Sequence, residues 1–242
     1  MRRAAAGAFG FALLASAVLP VRAQAQLDLA LVLSIDCSYS VDEREFELQM
    51  QGLAKAFLDP GVVEAIRVGK HGAIAVSIVQ WSSVKSQVLV LPWTVVQDAA
   101  SSAQVAEALL TAPRLTQDGG TSISTMIDVG TALLAQVPQP AKRHVIDISA
   151  DGRNNNGRDV GQARDYAVSQ GVTVNGLAIL NEVPSLHFYF ERWVIGGADA
   201  FVVKADTYDD YIDAIRRKLL REIGGDQFAA RSGAAAWRTA KP

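Results

Sequence analysis

Short, almost wholly apolar segments alternate along this chain with segments whose apolar residues recur at helical spacing. The first apolar segment, residues 27–35, reads Leu-Asp-Leu-Ala-Leu-Val-Leu-Ser-Ile. Such a run is typical of a strand that is buried on both faces of a parallel sheet. The alternation predicts a doubly wound α/β domain, with a mostly parallel six-stranded sheet and helices on both of its faces.

The predicted strands and helices follow from apolar spacing and from capping and turn residues. The strands are residues 27–35, 73–81, 87–91, 144–149, 172–179 and 200–203. The helices are residues 42–59, 99–110, 123–134, 159–169, 186–194 and 208–222, and the last gathers basic residues near its end, where they suit the helix dipole. Only residues 82–86 separate the second and third strands, which is too short for a parallel crossover, so one edge strand is predicted to be antiparallel.

The N-terminus has the pattern of a secretory leader. Arg2 and Arg3 precede an apolar run over residues 4–20, and Ala-Gln-Ala follows at residues 23–25. This pattern predicts a signal peptide over residues 1–25 and a periplasmic or secreted protein. An uncleaved membrane anchor is the alternative, since the apolar run is only slightly short of the roughly 20 residues that a membrane span needs.

The chain that remains after cleavage is acidic. It carries 20 Lys and Arg residues against 25 Asp and Glu residues, a net charge of −5, which argues against nucleic acid as a partner. We expect one domain over residues 26–223 and a loosely ordered tail over residues 224–242. Beyond the leader, no stretch is long enough to predict a membrane span.

Three short polar segments are placed to meet at one edge of the predicted sheet. They are residues 36–40, Asp-Cys-Ser-Tyr-Ser; residues 119–122, Gly-Gly-Thr-Ser; and residues 150–152, Ala-Asp-Gly. Each closely follows a predicted strand or opens a predicted helix. Loops at the carboxyl ends of parallel strands converge on a common crevice, so we expect these segments to lie together.

The oxygen-bearing side chains of these segments suit a hard divalent cation. The chain is predicted to remain extended as it leaves the first strand. On an extended chain, residues two apart point to the same side, as Asp36, Ser38 and Ser40 would. Carboxylates, hydroxyls and water are the usual ligands of Mg²⁺. Taken singly, these serines, Thr121 and Asp151 are also ordinary turn and cap residues. Their common position at one rim favours a Mg²⁺ site, with Mn²⁺ or Ca²⁺ as alternatives.

The three segments resemble a known metal site. Asp-x-Ser-x-Ser after the first strand, Gly-Gly-Thr-Ser before a helix and Ser-x-Asp-Gly after the fourth strand are similar to the metal-ion-dependent adhesion site of the von Willebrand factor type A domain. The resemblance covers essentially the whole chain after the leader. Residues 147–156 further resemble an uncharacterised bacterial branch of that superfamily, the domain of unknown function DUF1194.

The resemblance implies a role for each residue of the site. Ser38 and Ser40 would bind the ion directly through their hydroxyls. Thr121 would join directly or through water, and Asp36 and Asp151 would act mainly through bound waters. Neutral hydroxyls leave most of the ion's charge uncompensated, so an open coordination position attracts an anionic oxygen. In the family this oxygen is commonly an Asp or Glu of a partner protein, which implies a metal-dependent binding module and not an enzyme.

Two other functions stay open at this point. A magnesium-dependent phosphohydrolase would use a strand-end aspartate as nucleophile and a second acid two residues later, where this chain has Ser38. A hydroxyl is a poor general acid, so this alternative is less favoured. A structural domain with an empty metal site is the second alternative.

Two polar or aromatic clusters receive simpler interpretations. Asn154, Asn155 and Asn156 are expected to form a polar surface loop, with a role in lining the binding face as the alternative. The aromatic residues at 188–190 and 193 are expected to cover the core beside the final strand, with an aromatic contact surface as the alternative.

Overall fold

The apolar segments form the strands of a single sheet in the computed structural model, which describes residues 26–117 and 119–225. The strands are β1 Leu29–Asp36, β2 Ile74–Trp81, β3 Gln87–Val96, β4 His144–Ala150, β5 Val172–Ile179 and β6 Val202–Ala205. Their order across the sheet is β3-β2-β1-β4-β5-β6. Among the pairs of these six strands, only that of β2 with β3 is antiparallel, which confirms the predicted sheet and its reversed edge strand.

Helices cover both faces of the sheet. They are α1 Glu43–Leu58, α2 Pro60–Arg67, α3 Ala99–Thr111, α4 Ile123–Leu134, α5 Val160–Ser169, α6 Leu186–Tyr189 with a π-helical turn over Phe190–Val194, and α7 Tyr211–Gly224. The apolar residues of α1, α2, α3 and α7 form one core, and those of α4, α5, α6 and the π-helical turn form the other. The doubly wound α/β prediction is therefore confirmed.

Strand β1 is buried along its whole length because it lies between two parallel neighbours and under helices on both sides. Its side chains alternate between the two cores, as a strand's period of two requires. Leu29, Leu31, Leu33 and Ile35 enter the first core, whereas Ala30 and Val32 enter the second. Asp36 is the last residue of β1, so it lies at the carboxyl ends of the parallel strands, where the loops of the predicted site meet.

Strand β6 and helix α7 begin two and three residues later than predicted, and two other elements differ more. The break at Pro60 ends α1, but the same proline is the first residue of α2, a helix that the sequence analysis missed. Asp59 caps α2 by accepting hydrogen bonds from the N–H groups of Gly61 and Val62 at 2.8 and 3.3 Å. Strand β3 continues five residues beyond its predicted end and includes Pro92, which an edge strand tolerates because its outer N–H groups need no partner.

Lys218 of α7 is fully buried, although the sequence places it among the cations near the helix end. Its Nζ lies 2.6 Å from Oδ2 of Asp147 on β4 and 2.6 Å from Oε1 of Glu222. Asn175 of β5 also donates to Oε1 of Glu222, at 3.0 Å. Burial raises the pKa of Asp147 to about 7; the Lys218 ammonium lowers this pKa and the Glu222 carboxylate raises it further.

Within the part of the chain that the structure describes, no helix is long and apolar enough to cross a membrane. The predicted signal peptide over residues 1–25 lies outside the described residues. So does the predicted tail from residue 226 onward, while Gly224 and Gly225 belong to the end and the cap of α7.

Candidate metal centre

The first loop folds around the carboxylate of Asp36. The N–H of Ser38 donates to Oδ1 of Asp36 at 2.7 Å, and the hydroxyl of Ser38 lies 3.4 Å from that of Ser40. Oδ2 of Asp36 is buried and has no hydrogen-bond partner among the described residues. Cys37 is buried in the core and Tyr39 is exposed, which differs from the predicted alternation because the chain turns over residues 38–40 and does not continue as an extended strand.

The loop after β4 brings Asp151 against the first loop. The Ser40 hydroxyl donates to Oδ1 of Asp151 at 2.7 Å. The hydroxyl of Tyr208, in the segment before α7, donates to Oδ2 of Asp151 at 3.1 Å. Asp151 is completely buried and Ser40 is exposed, so the cluster reaches solvent on the Ser40 side. The sequence analysis did not include Tyr208, because its helical spacing indicates only packing.

Thr121 lies on the loop before α4, which contacts both of the other loops. The N–H of Tyr39 donates to the carbonyl oxygen of Gly119 at 3.3 Å, which joins this loop to the first. On the other side, Oγ1 of Thr121 lies 3.3 Å from the place that a Cβ on Gly152 would occupy. A glycine at 152 thus lets the loop before α4, the second loop of the site, and the loop after β4, the third loop, approach closely. The structure brings together the loops that carry all five predicted ligands.

The three asparagines after Asp151 were expected to form a polar surface loop. In the structure they also hydrogen-bond to other loops and hold them together. Their Oδ1 atoms accept the N–H groups of Ser124, Thr121 and Val84 at distances of 2.9, 2.8 and 3.0 Å, for Asn154, Asn155 and Asn156 respectively. Asn154 thus caps α4, since Ser122 makes no side-chain cap there. The partners are 30 or more residues away, so spacing along the chain gave no signal for these bonds.

The two carboxyl groups of the site, Asp36 and Asp151, both have raised pKa values. Burial, followed by the nearby negative charge of Asp151, raises the pKa of Asp36 to about 7. Burial also raises the pKa of Asp151, against the lowering effect of the hydrogen bonds from Ser40 and Tyr208. Two buried acids beside one another favour either proton uptake or a compensating cation.

Arg114 is the fixed cation near the first loop. Its guanidinium donates to the carbonyl oxygens of Cys37 and Val41 at 3.2 and 2.7 Å, and it lies 5.7 Å from the centre of the Phe46 ring. It lowers the pKa of Asp36 less than burial raises it. Arg114 therefore holds the backbone of the loop and leaves the Asp36 carboxylate only partly compensated.

The chain as a whole matches one family model. Residues 26–227 match the model described as a protein of unknown function, DUF1194. The chain belongs to the DUF1194 family. No curated protein matches this DUF1194 chain significantly.

Solved structures show which fold the DUF1194 chain has. It is similar to proximal thread matrix protein 1 from the mussel byssus, in a structure with a zinc-occupied metal-ion-dependent adhesion site, at 14% identity and a TM-score of 0.55 over 84% of this chain and 48% of that one. It is also similar to the von Willebrand factor domain of the type V pili tip protein Mfa5 from Porphyromonas gingivalis, at 10% identity and a TM-score of 0.55 over 81% and 96%. A von Willebrand factor type A structure from Catenulispora acidiphila matches at 14% identity and a TM-score of 0.54 over 82% and 43%.

These similarities establish the von Willebrand factor A fold for the DUF1194 chain. The chain spans about half of the mussel protein and less than half of the Catenulispora chain. Across residues 26–117 and 119–225, no three His, Cys, Asp or Glu side chains form a metal-binding group. A cation at this rim would therefore need hydroxyl ligands beside the two carboxylates. The residues present fit a hard divalent ion, because the Oδ2 of Asp36 is buried without a hydrogen-bond partner among the described residues and the hydroxyls of Ser38 and Ser40 lie in the same loop.

Proposed function

We propose that this chain is an exported protein-binding module that holds a divalent cation and uses it to capture an acidic residue of a partner protein. The observation that carries the proposal is the buried Oδ2 of Asp36, which has no partner in the described part of the chain and lies in the loop that presents Ser38 and Ser40. A buried carboxylate oxygen without a partner is costly in a folded protein, and a cation at the rim would compensate it.

Each ligand residue has a distinct task in this proposal. Ser38 and Ser40 bind the ion through their hydroxyls, and Thr121 joins directly or through water. Asp36 and Asp151 hold the ion's waters. Mg²⁺ suits such oxygen ligands, with Mn²⁺ or Ca²⁺ as alternatives. Because the inner ligands are neutral, the bound ion keeps most of its charge and attracts a carboxylate of the partner.

The comparisons support a binding role without fixing the partner. One similar structure is described with zinc in a metal-ion-dependent adhesion site, and another is the von Willebrand factor domain of a type V pili tip protein. An adhesion or assembly function in the periplasm or outside the cell agrees with these descriptions and with the predicted leader over residues 1–25. We propose residues 26–223 as the binding domain.

The phosphohydrolase alternative meets an obstacle at residue 38. The hydroxyl of Ser38 stands where such an enzyme needs a general acid, and it lies in a network with the Ser40 hydroxyl. A structural domain with an empty site would leave the two buried acids to be relieved by proton uptake, whereas a cation would compensate both while they are ionised. We therefore favour recognition over catalysis.

Thermal unfolding with and without metal tests the proposal. The full chain is melted in chelator, Mg²⁺, Mn²⁺ and Ca²⁺, beside the variant S38A/S40A. A ligand that binds only the folded state at about 100 times its Kd stabilises it by about 2.7 kcal/mol, so the native chain should melt higher in metal. The variant should lose this shift.

The control variant is S83A/S86A. It removes another pair of hydroxyls, which lie 3.2 Å apart in the loop between β2 and β3, and it should keep the metal-dependent shift. Equal melting in metal and chelator for the native chain would reject the site. Metal-dependent turnover of simple phosphoesters that S38A/S40A abolishes would favour the hydrolase.

A further inference from the structure

A second surface of distinctive chemistry adjoins the candidate metal centre. It lines a cavity of about 320 Å³, and we call it the arginine-aromatic surface; its residues are Arg153, Ser185, Phe188, Tyr189, Arg192 and Trp193. Arg153 follows Asp151 by two residues, so the surface begins in the same loop that carries a predicted ligand. The loop thus connects the two sites.

The expectation that the aromatic residues at 188–190 and 193 cover the core holds only in part, because Phe190 and Tyr189 pack in or against the core whereas Phe188 and Trp193 are exposed. Leu186, Phe190 and Val194 turn inward and are fully buried, and they anchor the segment on the second core. Phe188 and Trp193 turn outward, with exposed fractions of 63% and 41%. Exposed aromatic side chains on a rigidly anchored segment are typical of protein interfaces.

The backbone that presents Trp193 is a π-helical turn, a conformation found frequently at functional sites. The N–H of Ile195 donates to the carbonyl oxygen of Phe190 at 3.0 Å, which closes the wide turn. Arg164 of α5 donates to the carbonyl oxygens of Ile195 and Trp193 at 3.0 and 3.4 Å. The surface is therefore held in place before any partner arrives.

The arginines of this surface have no carboxylate partner within residues 26–117 and 119–225. Arg153 donates to the Ser185 hydroxyl at 3.3 Å and lies 5.6 Å from the centre of the Tyr189 ring. Arg192 lies 5.0 Å from the centre of the Trp193 ring. By contrast, six other arginines of the described chain pair with acids. With no acid among its lining residues, the surface complements a negatively charged partner.

We propose that the arginine-aromatic surface binds an acidic segment of a partner protein. A carboxylate of the segment pairs with Arg153 and Arg192, whose planar guanidinium groups match carboxylates in bidentate geometry. An apolar or aromatic side chain of the segment packs on Phe188 and Trp193. This inference rests on the proposed function, since the same partner would place one acid on the metal and a second on this surface.

Selection of peptides on the full chain tests the inference. Random peptides are displayed in the presence of Mg²⁺, and the enriched sequences should combine Asp or Glu with aromatic or large apolar residues. The most enriched peptide is then titrated into the native chain, R153A/R192A and W193A. Arginine and tryptophan are the residue types that dominate binding energy at interfaces, so each variant should bind at least about tenfold more weakly.

The matched controls are R67A and Y166A. Arg67 belongs to α2, on the opposite face of the sheet, and Tyr166 is an exposed aromatic residue of α5. Both variants should bind the peptide like the native chain. Unchanged binding by R153A/R192A, or enrichment of sequences without acids, would overturn the inference. Self-association of the chain that R192A abolishes would assign the surface to a second copy and would overturn it as well.

The two proposals can fail separately. If the melting experiment shows no metal effect but the peptide still depends on Arg153 and Arg192, the metal proposal fails and the surface stands. If S38A/S40A abolishes the metal effect while R153A/R192A binds the peptide normally, the metal proposal stands and the surface fails.

Discussion

Asn155 and Thr121 bind each other's backbone in both directions across 34 residues of sequence. Oδ1 of Asn155 accepts the N–H of Thr121 at 2.8 Å, and the N–H of Asn155 donates to the carbonyl oxygen of Thr121 at 3.0 Å. This pair fixes the second loop of the candidate metal centre against the third. The position of the Thr121 hydroxyl therefore depends on Asn155, which is not itself a predicted ligand.

The variant N155A should weaken metal binding by about tenfold or more, because residues that orient metal ligands typically contribute 10- to 100-fold to affinity. Titration calorimetry with Mn²⁺ measures the effect. The control N181A removes another exposed asparagine, which donates to Glu45, and should bind Mn²⁺ like the native chain. Equal affinities for N155A and the native chain would show that Thr121 needs no such support.

The variant Y208F should lower the free energy of unfolding by about 1 kcal/mol, because it removes the buried hydrogen bond from Tyr208 to Asp151. Chemical denaturation in chelator measures this change without a metal contribution. Y166F removes the hydroxyl of an exposed tyrosine and should leave stability unchanged. A loss of equal size in both variants would contradict the importance of the Asp151 contact.

Stability should fall as pH rises from about 4 to about 7, in part because of Asp147. The unfolded chain loses this proton near the ordinary pKa of 3.8, whereas the folded chain keeps it to about 7. The folded state thus binds the additional proton between these values, and the stabilisation present at low pH is lost as pH passes through the folded pKa. The variant D147N should reduce the slope by up to about 1 kcal/mol per pH unit.

Urea denaturation at a series of pH values in chelator provides this measurement. D165N, which changes an exposed acid of α5, is the control and should reproduce the native slope. A slope in D147N as steep as in the native chain would assign the titration to other groups.

The variant D59A should destabilise the fold by about 1 to 2 kcal/mol, the usual contribution of a helix cap. The Asp59 side chain caps α2 and also pairs with Arg216 of α7 at 2.6 Å, so its loss affects two helices. D209A breaks an exposed ion pair with Arg44 and should change stability by less than about 1 kcal/mol. Thermal denaturation of both variants compares them, and a larger loss in D209A would refute the assignment.

Local patterns predicted the sheet and the loops of the site well. The predicted extended exit from β1 was wrong, however, because the strand ends at Asp36 and the backbone bends and turns over residues 38–40, which leaves Cys37 buried and Tyr39 exposed. The order of strands and helices fixed which loops share the rim. The family resemblance added the metal-site hypothesis, which composition and spacing alone leave open.

The features that the sequence did not predict depend on contacts between distant segments. Helix α2 is only eight residues long and begins at the proline that ends α1, so its start resembles a break. Lys218 has the spacing of a surface cation, yet its burial follows from Asp147 on another element. Phe188 and Phe190 are chemically alike, and only the packing of the π-helical turn decides which of them is exposed.

The shared ammonium of Lys218 also limits how α7 can move. A movement of this helix by one turn along the sheet would separate Lys218 from Asp147. Breaking a buried ion pair in this way costs about 3 to 5 kcal/mol of folding free energy, because a buried charge is left without its partner. Coupling free energies between distant sites are typically 1 to 3 kcal/mol. A ligand bound at the rim would therefore have to favour the shifted helix by more than a typical coupling free energy, and until then the Lys218 ion pair keeps α7 in one position.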